Sequence, residues 1–195
     1  MNRRLKLHKV LKLSYDNNEQ HQQKMKKNGY AYDSMLSSKN EKVYYNPTQN
    51  KLLVSVAGTD KFSPRDIITD VYLGLGKLQD TSRYKHAHQT ILDAKKKYNV
   101  QNATLAGHSL GGSIVSYAGS NGDTIYSLDK GATIGTKTRS RERAYRSAGD
   151  AVSALAANAK NMTTLGSNNY LKDGVVMGAL KAHNVSNIKQ NKIYI

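Results

Sequence analysis

The chain has 195 residues, enough for one domain with a substantial core, and 30 Lys and Arg against 14 Asp and Glu give it a formal net charge of +16. The absence of cysteine excludes a disulfide framework, a thiolate metal site and a cysteine nucleophile. No apolar run approaches the roughly 18 to 20 residues of a membrane span, and the basic start lacks the apolar centre of a secretory signal. We therefore expect a single domain over residues 1–195 that is neither secreted nor membrane-spanning.

Residues 1–15 are predicted to form a basic amphipathic helix. One helical face collects the apolar side chains of Leu7, Val10, Leu11 and Tyr15. Basic residues recur three apart beside that face, at Arg3, Lys6, Lys9 and Lys12. Such a ridge is typical of a solvated surface helix packed on its domain, and the alternative is contact with an anionic lipid surface or with nucleic acid.

The middle of the chain alternates strands with helices. The predicted elements in chain order are strands at 42–46 and 51–57, a helix at 81–98, a strand at 104–106, a helix at 110–118 and a strand at 124–128. The apolar stripe of the helix at 81–98 includes His88, Ile91 and Leu92. This alternation indicates an α/β domain with a largely parallel sheet, whose reactive residues lie on loops at the carboxyl ends of the strands.

A G-x-S-x-G pattern, Gly107-His108-Ser109-Leu110-Gly111, lies between the strand at 104–106 and the helix that follows. In α/β-hydrolases this pattern places the serine on a strained turn that presents its hydroxyl at the top of the sheet. The flanking glycines remove the Cβ atoms that would collide as strand and helix close on each other. The helix points its amino terminus at the reacting centre, where it favours negative charge. Ser109 is therefore the predicted nucleophile.

A serine nucleophile needs an imidazole base and a carboxylate that orients the base. In α/β-hydrolases the acid and then the histidine follow the serine in the chain. Of the six histidines, His183 alone follows Ser109 and is the predicted base. His108 and His88 are interpreted as packing or hydrogen-bonding residues.

The acid must be chosen among aspartates between the serine and the histidine, which are Asp123, Asp129, Asp150 and Asp173. Asp123 precedes a strand and falls at the wrong edge of the sheet. Asp150 follows a predicted sixth strand and is favoured. Asp129, which ends the strand at 124–128, is the main competitor, and Asp173 is the third choice.

These motifs together resemble those of the class 3 lipases, the α/β-hydrolase family that includes the fungal triacylglycerol lipases. The matching stretches are Val56-Ala57-Gly58-Thr59-Asp60, Asp66-Ile67-Ile68-Thr69-Asp70, residues 107–112, Gly149-Asp150-Ala151-Val152 and Ala182-His183. The match covers most of residues 40–185. It implies a three-layer α/β-hydrolase sandwich and a lipase or phospholipase activity on carboxylic esters through an acyl-enzyme.

The resemblance also implies a role for each matched residue. The catalytic triad would be Ser109, Asp150 and His183. Thr59 would supply a backbone N–H and its hydroxyl to an oxyanion hole, and Leu110 would supply a second backbone N–H. Asp70 would orient the Thr59 hydroxyl. Carboxylates are otherwise scattered and no pair of histidines has ligand spacing with an acidic partner, so neither a metal nor another cofactor is predicted.

The sequence departs from the family pattern at three places. Ala57 stands where the family frequently has arginine, and Ile67 where it frequently has tryptophan. Residues 61–65 alone are available for a lid, which favours an open cleft. Compact, Lys- and Asn-rich chains of this kind resemble members encoded by large DNA viruses, which implies a cytoplasmic or virion-associated location, peripheral at membranes.

The net charge suggests two kinds of partner. Residues 130–146 hold six basic residues and one acidic residue in a segment expected near the active-site rim, where Arg139, Arg141 and Arg143 would contact an anionic membrane; the alternative is a solvated surface run. The rival to the enzyme is a non-catalytic basic protein on a degenerate hydrolase fold that binds nucleic acid or another acidic surface. The sequence contains no helix-turn-helix, zinc or RNA-binding aromatic motif, so no specific nucleic acid is predicted.

Overall fold

The computed structural model describes residues 5–16, 19–59, 76–131, 139–154, 162–166, 182–186 and 191–195. Its helices are α1 (Leu7–Tyr15), α2 (Glu19–Lys26), α3 (Ser82–Lys97), α4 (Leu110–Ala118) and α5 (Ala151–Ala154), with a 3-10 turn at Leu78–Asp80. Its strands are β1 (Ala31–Tyr32), β2 (Glu41–Asn46), β3 (Lys51–Val56), β4 (Ala103–His108), β5 (Thr124–Leu128), β6 (Glu142–Ser147) and β7 (Met162–Leu165). Strands and helices therefore alternate from β3 to β5, as the sequence pattern predicts.

The described strands form one sheet in which neighbours in space are also neighbours in the chain, from β1 to β7. β1, β2 and β3 pair antiparallel, and β3 to β7 pair parallel. The central strands β3, β4 and β5 are covered on both faces. They therefore carry near-continuous apolar runs such as the buried Leu52, Leu53 and Val54 of β3. The predicted fold class is confirmed: helices flank a mostly parallel sheet in the three-layer arrangement of α/β-hydrolases.

Two apolar cores, one on each face of the sheet, hold the layers together. The first joins α1 to the sheet and includes Leu7, Val10, Leu11, Leu53 and Leu128. The second joins α3 and α4 to the opposite face and includes Val54, Ala87, Ile91, Leu105 and Ile114. All of these side chains are fully buried, and truncating a buried Leu or Ile to Ala typically costs about 2–5 kcal/mol. Helix α1 is therefore an integral part of the domain.

The outer face of α1 is basic, with Lys9 and Lys12 exposed to solvent. The helix begins at Leu7, whose backbone N–H is bonded to the carbonyl of Ile193 near the other end of the chain. Within the described ranges, no helix combines the length and apolar character needed to cross a bilayer.

Helix α3 is the predicted helix at 81–98, and Thr81 caps it by accepting the backbone N–H of Tyr84 at 3.2 Å. The predicted place of Leu92 on the buried stripe is wrong, because Leu92 is 46% exposed. The helix buries Ala87, Thr90, Ile91 and Ala94. Successive residues on a helix are rotated by about 100°, so Leu92 points away from the face that buries Ile91.

Three arginines of the basic segment, Arg139, Arg141 and Arg143, do not lie where the sequence predicts. β6 begins at Glu142, which pairs with Ile125 at the start of β5. Arg139, Arg141 and Arg143 therefore lie towards the amino edge of the parallel strands, opposite the edge that carries Ser109. Their guanidinium groups are bonded to the Tyr117 carbonyl at 3.0 Å, the Gly122 carbonyl at 3.2 Å and the Tyr126 hydroxyl at 3.1 Å, respectively. The expected location at the active-site rim is wrong for these three residues, and their contact with a membrane stays a prediction.

Candidate active site

Neighbouring parallel strands of the sheet end at one edge, and a candidate site residue follows each of them. Ser109 directly follows β4, and Asp129 directly follows β5. Thr59 lies three residues beyond the end of β3, and Asp150 lies three residues beyond the end of β6. The carboxyl edge of a parallel sheet is where α/β proteins bind their ligands, so these residues share the expected location of a site.

Ser109 occupies a strained turn between β4 and α4. Its backbone angles are φ 56° and ψ −127°, in a region that non-glycine residues rarely adopt. Such a conformation costs about 1–3 kcal/mol and persists only where the surrounding structure enforces it. Here the backbone N–H of Ser109 donates to the Leu128 carbonyl of β5 at 3.0 Å, which fixes the turn.

The two glycines that flank the serine allow strand and helix to approach each other. A Cβ atom on Gly107 would lie 2.2 Å from the carbonyl oxygen of Gly111, and one on Gly111 would lie 2.2 Å from the carbonyl oxygen of Val56. Both distances are far shorter than van der Waals contact with backbone atoms. A side chain at either position would therefore collide with the backbone, as the sequence analysis predicts for the glycines of this turn.

The segment that follows β3 runs beside the serine. A Cβ atom on Gly58 would lie 2.8 Å from the Cβ atom of Ser109. The hydroxyl of Thr59 is buried and has no hydrogen-bond partner among the described residues. Leu110 is the first residue of α4, where backbone N–H groups have no partner within the helix. The segment that ends at Thr59 and the first turn of α4 are therefore both adjacent to Ser109.

His183 is held by the carboxylate of Asp150. Its Nδ1 lies 2.8 Å from Asp150 Oδ1, and both side chains are buried. The same carboxylate accepts the backbone N–H groups of Val152 at 3.3 Å and Ser153 at 2.7 Å, in the first turn of α5. An ionised carboxylate only accepts hydrogen bonds, so Nδ1 carries the proton and Nε2 of the neutral ring has a free lone pair.

The pKa values of this pair move in opposite directions. Burial alone lowers the pKa of His183, but the hydrogen bond and charge of Asp150, joined by the charge of Asp129, outweigh it and raise the pKa above 6.5. Burial raises the pKa of Asp150, but the hydrogen bond to His183, its charge and the bonds from Ser153 outweigh burial and lower the pKa below 3.8. Asp150 therefore stays ionised, and His183 is a stronger base than an ordinary histidine.

The hydroxyl of Ser109 and the Nε2 atom of His183 are both buried, and neither has a hydrogen-bond partner within the described part of the chain. Residue His108, next to Ser109, lies against His183: the two ring centroids are 4.8 Å apart. Buried polar atoms are normally paired, and unpaired ones are common at functional sites. Proton transfer from a serine requires a hydroxyl and a basic nitrogen, and Ser109 and His183 supply these two groups.

Asp129 lies in the same site but bonds to a different partner. It accepts the backbone N–H of Ser147 at 2.5 Å and the Ser147 hydroxyl at 2.9 Å. Its nearest imidazole contact is with His108 Nε2 at 4.0 Å. Burial, followed by the charge of Asp150, raises the pKa of Asp129 to about 7, although His183 and Ser147 lower it. His183 Nδ1 therefore donates its hydrogen bond to Asp150 and not to Asp129.

Three side chains in this site come close enough to one another to be considered as metal ligands. One ligand atom each from His108, Asp129 and His183 lies within 4.8 Å of the others. However, His108 Nε2 faces the carbonyl oxygen of His183 at 2.8 Å and its Nδ1 faces the Tyr15 hydroxyl at 2.7 Å. Both ring nitrogens are thus occupied by hydrogen bonds, and the cluster does not suit a metal ion.

Sequence reasoning missed Tyr15 as a residue of this site. Its hydroxyl contacts His108 Nδ1 and also accepts the backbone N–H of Gly58 at 2.8 Å. The only sequence signal was its place on the apolar face of the N-terminal helix. Asp70, Asp173 and the lid segment 61–65 lie outside the described residues.

Among the solved structures that are similar to this chain are two lipases. The native lipase–propeptide complex of Rhizomucor miehei is 13% identical, with a TM-score of 0.44, over 79% of this chain and 61% of that one. The Lip2 lipase of Yarrowia lipolytica is 11% identical, with a TM-score of 0.44, over 71% of this chain and 64% of that one. The match thus spans less than two thirds of either lipase, and nothing about chemistry follows from a likeness at this level. No protein-family model and no curated protein sequence matches the chain.

Proposed function

We propose that this protein hydrolyses carboxylic esters of lipids, with Ser109 as nucleophile, His183 as general base and Asp150 as the residue that orients the base. The observation that carries the proposal is the hydrogen bond from His183 Nδ1 to Asp150 at 2.8 Å. Nε2 of His183 is left without a partner among the described residues, as is the hydroxyl of the strained Ser109. The alternatives Asp129 and Asp173 are not needed in this assignment.

The reaction proceeds in two halves. Ser109 Oγ attacks the ester carbonyl carbon while its proton passes to His183 Nε2. The bond from that carbon to the alcohol oxygen then breaks as His183 returns the proton to the leaving alcohol, and an acyl-enzyme remains. Water attacks the acyl-enzyme with the same base, which releases the carboxylic acid and restores Ser109.

The negative oxygen of the tetrahedral intermediate needs donors that are already in place. We assign this role to the backbone N–H and hydroxyl of Thr59 and to the backbone N–H of Leu110, with Asp70 orienting the Thr59 hydroxyl. The buried, unpartnered Thr59 Oγ1 supports the assignment. One such donor is typically worth about 3–4 kcal/mol of transition-state stabilisation.

The choice of lipid esters rests on the sequence motifs at 56–60, 107–112 and 149–152, which resemble those of class 3 lipases. Lipase and phospholipase activity are both compatible with these motifs. The basic outer face of α1, with Lys9 and Lys12 exposed, offers a surface for anionic lipids. We propose that this face of α1 contacts an anionic membrane, and that Arg139, Arg141 and Arg143 also contact anionic lipids.

The test is hydrolysis of a soluble short-chain nitrophenyl ester by the wild type and by Ser109→Ala. We expect turnover by the wild type, loss of turnover in the variant and identical circular dichroism spectra. Ser82→Ala, which alters an exposed serine on α3, is the matched control and should keep full activity. Undiminished hydrolysis by Ser109→Ala would overturn the proposal. A wild type without esterase activity that binds DNA in a steeply salt-dependent manner would instead support the basic binding protein.

A further inference from the structure

The last residue of α1 places its hydroxyl between two parts of the candidate site. Tyr15 Oη lies 2.7 Å from His108 Nδ1 and 2.8 Å from the backbone nitrogen of Gly58. On the far side of the His108 ring, Nε2 lies 2.8 Å from the backbone oxygen of His183. A continuous chain of hydrogen bonds therefore joins the segment after β3 to the backbone of the proposed base.

The direction of every bond in this chain is fixed by chemistry. A carbonyl oxygen only accepts, so His108 Nε2 must donate to His183. His108 Nδ1 is then unprotonated in the neutral ring and must accept the O–H of Tyr15. The Tyr15 oxygen in turn accepts the N–H of Gly58. Burial, followed by the charge of His183, lowers the pKa of His108 to about 3, which keeps the ring neutral.

The space around Gly58 shows how closely the Tyr15 hydroxyl approaches the nucleophile. A single Cβ atom built on Gly58 would lie 2.7 Å from Tyr15 Oη and 2.8 Å from Ser109 Cβ. The body of α1 is anchored by its buried Leu7, Val10 and Leu11, so its last residue is presented from a rigid element. The hydroxyl thus holds, at close range, the segment that carries Thr59.

We propose that Tyr15 is a positioning residue that holds the oxyanion segment at 57–59 and, through His108, the backbone of His183 at fixed positions relative to Ser109. This inference rests on the proposed function. In this role Tyr15 acts on the relative positions of the oxyanion donors, the base and the nucleophile, and takes no part in bond making or proton transfer. The two contacts of Tyr15 span 43 and 93 residues of the chain, so they join parts of the site that are distant in sequence.

Tyr15 also lines a cleft of about 590 Å³ together with Tyr32, Ser34 and Lys39, which gives a competing explanation for any effect of its substitution. A residue that only contacts substrate in this cleft would change KM when substituted. A residue that positions catalytic groups would change kcat instead. The ratio of these two effects distinguishes the roles.

The test compares Tyr15→Phe with the wild type in the hydrolysis of a soluble nitrophenyl ester. Loss of the hydroxyl should lower kcat by about 10- to 100-fold, as expected when catalytic groups shift by up to one ångström, and should leave KM almost unchanged. Tyr45→Phe is the matched control, since its hydroxyl bonds to Asn50 in the β2–β3 turn, and it should keep wild-type kcat. If only part of the Tyr15→Phe protein folds, the fraction of molecules that a fluorophosphonate probe labels gives the concentration of competent sites. kcat is then calculated from that concentration.

A double-mutant cycle with His108→Gln provides the second readout. If both residues act through one chain of hydrogen bonds, the double variant should lose little more activity than the worse single variant. Additive losses, a wild-type kcat in Tyr15→Phe, or a raised KM at unchanged kcat would each overturn the role of Tyr15 while leaving the proposed function intact. A wild-type protein that neither hydrolyses the ester nor reacts with the probe would overturn both.

Discussion

Replacing Asp150 by Asn tests the proposed acid by changing one carboxylate into an amide of the same shape. The carboxylate accepts the Nδ1–H of His183 at 2.8 Å and, with its other oxygen, the backbone N–H of Ser153 at 2.7 Å. An amide has one oxygen for these two positions. The backbone N–H of Ser153 cannot change its protonation, whereas the imidazole can change its tautomer, so the amide oxygen stays with Ser153 and the NH2 group faces Nδ1.

The expected loss of activity follows from this change of tautomer. With the amide NH2 against Nδ1, His183 must carry its proton on Nε2 and can no longer accept the proton of Ser109. In the serine protease triad the same substitution lowers kcat about 10⁴-fold. That factor corresponds to about 5 kcal/mol of transition-state stabilisation, at about 1.36 kcal/mol per tenfold.

The assay is steady-state hydrolysis of a nitrophenyl ester by the wild type, Asp150→Asn and Asp129→Asn, with circular dichroism as a check of folding. Asp129→Asn is the matched control because its buried carboxylate bonds to Ser147 and not to the Nδ1 atom of His183. It should therefore lose far less activity than Asp150→Asn. A larger loss in Asp129→Asn, or equal losses in both variants, would refute the assignment of Asp150.

Three further predictions concern pH, packing and the lipid surface. kcat/KM should fall on acidification with a midpoint above pH 6.5, because the pKa of His183 is raised and its protonated form is inactive. Asp129→Asn should move this midpoint to lower pH, because it removes a negative charge that raises the pKa of His183. An unmoved midpoint would contradict this. Gly107→Ala should lower the free energy of unfolding, measured in urea, by at least about 1–3 kcal/mol, because its Cβ atom would lie 2.2 Å from a backbone oxygen. Gly76→Ala is the control and should be nearly neutral, because its Cβ atom would have no neighbour within 4 Å. Equal stabilities of the two variants would contradict the packing argument. Anionic vesicles should be hydrolysed faster than zwitterionic ones at low salt but not at high salt, and equal rates at low salt would remove the proposed membrane contact.

The elements around the nucleophile could be predicted from the sequence almost to the residue. The helix predicted at 110–118 is α4, and the strand predicted at 124–128 is β5. These elements are short, strongly apolar and bounded by glycine or polar turns, so local pattern and burial agree. His183 could be selected as the candidate base because chain order in this fold class leaves a single histidine after Ser109.

The choice between Asp129 and Asp150 could not be made from the residues alone. Both residues lie beyond the carboxyl ends of the neighbouring strands β5 and β6, so sequence position places both at the same edge. What separates them is which carboxylate faces Nδ1 of His183, and that depends on tertiary geometry. The contact of Tyr15 with His108 spans 93 residues and likewise has no local signal.

The sequence predicts that the basic segment at 130–146 lies near the active-site rim, with a solvated surface run as the alternative. Instead, Glu142 opens strand β6 with its carboxylate buried, where it bonds to the buried ammonium of Lys130 at 2.6 Å. The hydroxyls of Ser116 and Ser127 donate to the same carboxylate at 2.9 and 2.6 Å. Paired charges can enter a core in this way, and a pattern of single residues does not reveal the pairing.

Covalent labelling tests most directly whether the hydroxyl of Ser109 is an activated nucleophile. The protein would be incubated with a fluorophosphonate probe, digested, and analysed by mass spectrometry to locate the modified residue. We expect one adduct per molecule, on the peptide that contains Ser109, forming faster as pH rises through the pKa of His183. A chain that stays unmodified, or that carries its adduct on a different serine, would contradict the claim that this turn holds an activated nucleophile.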